Sequence, residues 1–533
     1  MFDRKSPHLW PLLLFWGLLV LASVWTRSYI PIDETRYVTV AWNMWLSGDY
    51  LVPFINGAPY HHKPPLLFWL INLGWAAFGV NETWPRLLPA LFSLAGALLL
   101  RRLARLLWPQ RAEVAGLAPL ILMSSLLWAI FTTATMFDIL LTSFVLTGLI
   151  GMVLAGRGDA ANVRRGFLLL ALGLGGGLLA KGPVVLLHLL PPAVAAPLWA
   201  PAWTGRWRGW YGRLLLAFLG GAALVLAWAI PAALAGGEVY AKAIFWGQTA
   251  NRMVDAFAHK RPFYWYLPFL PLVFFPWLWV PQIWRGLRQL AAQHGLRNDP
   301  ALRFLLAWLL PIFLFFCLIS GKQLHYLLPL FPGAALLFAL ALAQGRGSRR
   351  GAGLLPALPI LALAAALLAG WRVPGLIPAA QPPAWSAYAL FIVAVFFVAA
   401  EFRPWRTVLH LAAGTTLLVA LFSLAPLPAA MKALDVRPTA QHLGKLDAAG
   451  VPLAFVGEYD GMFDFLGRLR RPLAVLETPP AVQEWCRRHP QGRLVLSVKR
   501  GNVPDGAEFA QDYFSRRLAV VAVGSYPPCR VAP

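Results

Sequence analysis

The chain has 533 residues, of which 59% are hydrophobic and only 13% charged, and its mean hydropathy is +0.62. Soluble globular chains are nearer a quarter charged, so a soluble enzyme of this composition would have to leave much of its apolar surface in water. The net charge of +24 does not indicate nucleic acid: the arginines fall in short clusters between apolar runs, where the positive-inside rule places them beside anionic headgroups.

Residues 9–24 form the first apolar run, preceded by Arg4 and Lys5 and lacking a small-residue cleavage site. It reads as an uncleaved anchor that starts in the cytoplasm. Later runs begin near Trp84, Ala112, Phe137, Gly166, Pro183, Leu214, Tyr264, Ala301, Tyr326, Leu354, Trp385 and Thr407. With the first, they predict about 13 spans at roughly twenty apolar residues per crossing. One further run, 65–80, fixes the orientation. If it crosses, Arg101, Arg102, Arg105 and Arg111 land outside and each later loop inverts. If it lies in the interface, those arginines and the clusters at 157–165, 206–213, 285–297 and 346–350 are all cytoplasmic, which satisfies the charge rule throughout. The run is also short, so it is assigned to the membrane surface; residues 34–46 are a second candidate of that kind.

From about Met431 the composition shifts. Charges return, and short apolar stretches at 453–456, 494–498 and 518–523 alternate with helical patterns, which predicts a small α/β domain. The chain thus divides into a membrane part, 1–430, whose first outer loop spans 27–84, and an outer domain, 431–533. Three cysteines give no framework; Cys486 and Cys529 can pair in an oxidising compartment or remain free thiols.

Charges at the ends of apolar runs are expensive and mark function. In the assigned topology they gather on the outer face: Asp33, Glu34 and Arg36 after the first span; Tyr60, His61, His62 and Lys63 before the surface helix; Asp138; Lys181; Asn251, Arg252, His259, Lys260 and Arg261; and Lys322, His325 and Tyr326. Cations on that face need a reason other than the charge rule. Lys and Arg with a Tyr hydroxyl suit a phosphate, and a phosphate at a membrane surface suggests a lipid-linked substrate with a carboxylate beside it as base or electrostatic partner. Each signal has a plainer reading. Asp33 and Glu34 fit the first turn of a helix, Lys181 and Lys322 can snorkel to headgroups, and the histidines can be interfacial; no His-x-x-x-His pair suggests zinc. A lipid-linked sugar transporter is the rival class, but such proteins carry internal repeats and midplane polar sites, and neither is visible.

Asp33-Glu34-x-Arg36, Tyr60-x-x-Lys63-Pro64 and Gly321-Lys322-x-x-x-Tyr326 resemble motifs of bacterial GT-C glycosyltransferases of the protein-mannosyltransferase-like group. The chain is most similar to transferases that move 4-amino-4-deoxy-L-arabinose from undecaprenyl phosphate to lipid A. Met136-Phe137-Asp138, Ala180-Lys181-Gly182 and the segment from Asn251 to Phe263 extend the likeness along nearly the whole chain. The resemblance implies a GT-C fold in the inner membrane, an inverting transfer at the periplasmic surface, a polyprenyl-phosphate sugar as donor, and no nucleotide sugar or obligatory metal. It makes Asp33 the principal catalytic candidate and Lys63, Arg252 and Tyr326 the candidates for the donor phosphate. Glu34, Arg36, Tyr60, His62, Asp138, Lys181, His259 and Lys322 are implied as further substrate-binding residues. One departure stands out: the family's Glu before the Lys-Pro pair is His62 here. Losing a carboxylate that suits an amino sugar leaves other sugars, and a glycan or protein hydroxyl as acceptor, as the alternative.

Overall fold

The computed structural model describes residues 9–247, 260–293, 298–344, 351–369, 383–400, 403–432 and 434–529. Among them seven helices are long and apolar enough to cross a membrane, which makes the chain a multi-pass membrane protein. They include α4 (Thr83–Leu107), α7 (Phe137–Ala155) and α8 (Ala160–Lys181), with Pro300–Leu318 and Pro404–Leu424 further on. Shorter apolar helices are α1 (Trp10–Val24), α3 (Leu66–Phe78), α5 (Ala112–Met123) and α9 (Val184–Val194), then Leu354–Leu368 and Trp385–Val398. Two more complete the numbering, α2 (Asp33–Ser47) and α6 (Leu126–Phe131).

Both stretches assigned to the membrane surface are helical. α2 places Asp33 and Glu34 in its first turn, and it stops at Gly48, whose φ of 69° lets its N–H reach the Met44 carbonyl. α3 has 13 residues, about 20 Å at 1.5 Å each, too short to cross a bilayer core. The apolar run from Tyr264, expected as a span, is not one continuous helix. It breaks into the short turns Leu267–Phe269, Leu270–Val273 and Trp277–Trp279. Pro262, Pro268, Pro271, Pro276 and Pro281 interrupt it, and each interior proline removes a helix donor and clashes with the preceding turn. Hydropathy alone does not register this.

α7 and α8 form an antiparallel pair at very close range. A Cβ on Gly173 would lie 2.6 Å from Gly148 N, and one on Gly151 would lie 2.5 Å from Gly166 O. The backbones therefore touch through facing glycines, the small-residue contact that drives helix association in lipid. α8 begins at Asp159, whose carboxylate accepts from Asn162 N, and ends at Gly182 and Pro183, a helix-stopping pair. The contact brings the first turn of α7 against the last residue of α8.

The C-terminal segment carries a five-stranded mixed sheet. Its strands are β3 (Leu453–Val456), β4 (Ala474–Leu476), β5 (Arg493–Lys499), β6 (Ala507–Tyr513) and β7 (Arg516–Ala522), in the order β4-β3-β5-β7-β6. β3 runs parallel to β4 and β5, and β7 antiparallel to β5 and β6. The hairpin β1 (Phe54–Ile55) and β2 (Ala58–Pro59) belongs to the segment between α2 and α3. Cys486 and Cys529 form a disulfide. One apolar cluster runs from Phe137 through Val38, Trp42, Phe68 and Trp75 to Phe465, Val495 and Leu518, so α2 and α3 are packed between the membrane helices and the sheet.

Asp464 is buried in this seam and accepts a hydrogen bond from the Tyr459 hydroxyl. Burial pushes its carboxyl up to about 6, although that hydrogen bond opposes the shift. The folded value exceeds the unfolded one, roughly 3.9, so its contribution to stability is full below pH ~4 and lost as pH rises through 6. Asp464→Asn is expected to remove this loss and to stabilise the protein at pH 8 by about 3 kcal/mol relative to pH 4. Thermal melts of both forms across pH 4–8 test it; parallel melting curves would show that Asp464 is not the group responsible.

Candidate active site

The site is built at the α7–α8 junction. Asp138, the second residue of α7, is 1% exposed and accepts a hydrogen bond from Lys181 Nζ at the end of α8. A carboxylate and an ammonium at this depth persist only as a pair. Lys181 Nζ lies 5.3 Å from the centroid of the Tyr326 ring. His325 packs 4.9 Å from that ring and stacks on Phe131 at 5.8 Å. Lys63, on the loop after β2, places Nζ 5.9 Å from the Phe137 ring. Asp138, Lys181, Asp33 and Lys63 all lie within electrostatic reach of His325. Segments separated by hundreds of residues thus converge on one end of the α7–α8 pair.

α2 supplies the exposed carboxylate. The Asp33 side chain is 46% exposed, and the Tyr37 hydroxyl one turn on donates to its Oδ1 at 3.3 Å. Tyr37 packs edge-on against Phe137 at 4.7 Å, which ties Asp33 to the start of α7. Burial, and then the Asp33 charge, push the Tyr37 hydroxyl well above its ordinary value, so it stays a donor at neutral pH. Arg36 Nη1 is 3.8 Å from Asp33.

Its neighbour Glu34 is turned inward and is 3% exposed. Its carboxylate pairs with Arg27, with Nη2 to Oε1 at 2.9 Å, and accepts from Ile30 N at 2.9 Å and Thr135 N at 2.7 Å. Burial opposes its ionisation, but Arg27 and the two backbone donors outweigh this and hold the carboxyl below the usual range. Arg27 also donates to Thr133 O at 2.8 Å. Glu34 therefore fastens the α1–α2 connection to the α6–α7 turn, and its acceptors face protein groups.

Tyr60 is buried, with its ring edge-on to His62 at 5.4 Å and to Phe68 at 6.1 Å, while His62 is exposed beside His61. Lys322 is 2% exposed and donates to Arg261 O at 3.2 Å and to Ile319 O. With the Lys260–Gly321 bridge and Arg261 N to Ser320 O at 3.0 Å, it laces the 260–261 segment to the 320–322 turn, a different position from the Asp138–Lys181 pair. Asn251, Arg252 and His259 lie outside the described residues. A cavity of about 660 Å³ at the far end of α2, lined by Asp49, Tyr50, Trp69 and Asn72, contains none of the predicted site residues. Sequence reasoning passed over Tyr37, although its spacing from Asp33 is that of a helical i,i+4 pair.

An exposed carboxylate beside a phenol donor, with lysines at the ends of membrane helices, suits an anionic lipid-linked substrate. Residues 62–234 match the dolichyl-phosphate-mannose-protein mannosyltransferase family. The fold is that of ArnT from Cupriavidus metallidurans. The apo crystal structure superposes with a TM-score of 0.73 at 20% identity, covering 97% of this chain and 98% of that one. The structure bound to undecaprenyl phosphate gives 0.69, again at 20% identity, over 96% and 97%. The chain is a membrane glycosyltransferase of the GT-C type. It is 34% identical over 457 residues, 83% of this chain and 80% of the other, to the undecaprenyl phosphate-α-4-amino-4-deoxy-L-arabinose arabinosyl transferase of Pseudomonas aeruginosa strain UCBPP-PA14, and it belongs to that family.

Proposed function

We propose that this enzyme transfers 4-amino-4-deoxy-L-arabinose from undecaprenyl phosphate to a phosphate of lipid A at the periplasmic face of the inner membrane. The observation that carries the reading is the exposed Asp33 carboxylate, set by Tyr37 against Phe137 in a chain of the aminoarabinose transferase family. The bond from the sugar C1 to the undecaprenyl phosphate oxygen breaks, and a lipid A phosphate oxygen bonds to C1 from the opposite side. That acceptor is already an oxyanion and needs no base. Asp33 instead orients the sugar and stabilises the positive charge that develops on the ring, as carboxylates do in glycosyl transfer. Lys63, Arg252 and Tyr326 hold the phosphate that leaves with the polyprenyl chain. Arg36, Tyr60, His62, His259 and the Asp138–Lys181 pair shape the surrounding site, and Lys322 holds the loop that carries Arg261. Glu34 anchors α2 from beneath.

Residues 1–430 form the catalytic membrane part, with about 13 spans, the proline-broken segment after Tyr264 among them, and 431–533 a periplasmic domain; α2 and α3 lie at the periplasmic interface. The arginine-rich connections at 101–111 and 157–165 then face the cytoplasm, as the charge rule asks.

A second reading, transfer of another polyprenyl-linked sugar to a hydroxyl, is favoured by His62 at the place of the family's Glu and by the mannosyltransferase match over 62–234. Asp33 would then be the base. Purified enzyme given undecaprenyl-phosphate aminoarabinose with lipid A, or with a hydroxyl acceptor, separates the two by which product forms. Lys63→Ala is expected to weaken donor binding about 10–100-fold, the range for one charged hydrogen bond. Unchanged donor affinity would assign Lys63 to lipid headgroups.

A further inference from the structure

We infer that Asp460, in the C-terminal domain, is a positioning residue that keeps the Asp33 carboxylate available by holding Arg36 away from it. Arg36 follows Asp33 by three residues on α2, the spacing at which helical ion pairs form. Yet its guanidinium is divided between two carboxylates, with Nη2 2.8 Å from Asp460 Oδ1 and Nη1 3.8 Å from Asp33 Oδ1. Asp460 has the close ion pair and Asp33 has only the looser contact. The charged or titratable groups around the guanidinium are Asp33 and Tyr37 from α2 and Asp460 from the C-terminal domain, with Tyr513 in electrostatic reach of Asp460.

Asp460 is held in place independently of this ion pair. The next residue, Gly461, accepts from Thr39 Oγ1 through its carbonyl at 2.7 Å. It sits so close to α2 that a Cβ there would lie 2.8 Å from Thr39 and 2.9 Å from Ile55. Trp42 Nε1 donates to Leu469 O at 2.9 Å, and Phe465 stacks on Trp75 at 5.0 Å. Thr39 and Trp42 lie one and two turns beyond Arg36 on α2. This apolar seam docks the domain, and a half-exposed ion pair adds little stability to it. What the bridge does is choose where the guanidinium points. Without Asp460, Arg36 closes on Asp33 as a two-armed pair, occupies the oxygens the sugar needs, and neutralises the charge that would stabilise the transition state. The C-terminal domain therefore completes the active site from outside the membrane part. This rests on the assignment of Asp33 above.

The test uses full-length enzyme in nanodiscs with undecaprenyl-phosphate aminoarabinose and lipid A. Asp460→Asn keeps the shape and removes the charge; Asp460→Glu keeps the charge and changes the shape. The expected result is that kcat falls about tenfold in Asp460→Asn with donor affinity unchanged, while Asp460→Glu stays near wild type. Rising salt, which screens a half-exposed ion pair, should raise the rate of Asp460→Asn toward wild type by loosening Arg36 from Asp33. Equal impairment of both variants, a loss of donor affinity, or a wild-type rate in Asp460→Asn each overturns the inference. Asp33→Asn in the same assay keeps the two claims apart. If it turns over normally, the assignment of Asp33 fails; if it is inactive while Asp460→Asn is normal, only the role of Asp460 fails.

Discussion

Asp33→Asn is expected to lower transfer at least ~10³-fold, the scale of losing one charged group that acts in the transition state, while the protein still inserts and folds. The side chain is 46% exposed, and its described partners are the Tyr37 hydroxyl and the distant arm of Arg36. An amide of the same shape keeps the Tyr37 hydrogen bond and leaves no buried charge unpaired. Donor affinity should hardly change, because the carboxylate repels the donor phosphate in the ground state and acts on charge that develops at the sugar. The comparison is single-turnover transfer in wild type and variant at matched donor occupancy. A rate within a few-fold of wild type would remove Asp33 from the mechanism.

Glu34→Ala is expected to destabilise the enzyme by about 3–5 kcal/mol, the cost of stranding the partner of a buried ion pair. Arg27 would keep its hydrogen bond to Thr133 O but lose its counter-ion, and Ile30 N and Thr135 N would lose their acceptor. The double variant Arg27→Met/Glu34→Leu should recover most of the loss, since a matched apolar pair replaces a buried ion pair at little cost. Because the folded Glu34 carboxyl lies below its ordinary value, the pair contributes fully above the unfolded value, roughly 4.3. That contribution fades as pH falls through the folded value. Thermal melts of both variants in detergent check this. Equal stability of Glu34→Ala and wild type would mean that the pair contributes nothing.

The two neighbouring carboxylates show what the sequence can and cannot say. Asp33 and Glu34 look alike in a motif; their roles part only because consecutive helix positions point about 100° apart and because Arg27 waits on one side. The membrane class, the helical character of 34–46 and 65–80 and the α/β pattern of the C-terminal segment were legible, since each rests on local periodicity or composition. The Asp138–Lys181 pair was legible only as two costly charges. Their partnership depends on the glycine-to-glycine approach of α7 and α8, for which the run Gly173, Gly175, Gly176 and Gly177 was a visible but unread signal. The breaks in the segment after Tyr264 went unread because hydropathy counts apolar residues and ignores lost donors. Asp460 was beyond reach: 424 positions separate it from Arg36, and no pattern in either segment names the other.

The most direct test of the central claim is mass spectrometry of lipid A from matched cells, with and without this gene, supplied with the undecaprenyl-linked aminoarabinose donor. The account predicts an aminopentose increment on lipid A that depends on the gene and vanishes with Asp33→Asn. Unmodified lipid A in cells that make both the folded enzyme and the donor would contradict it, and would turn attention to hydroxyl acceptors.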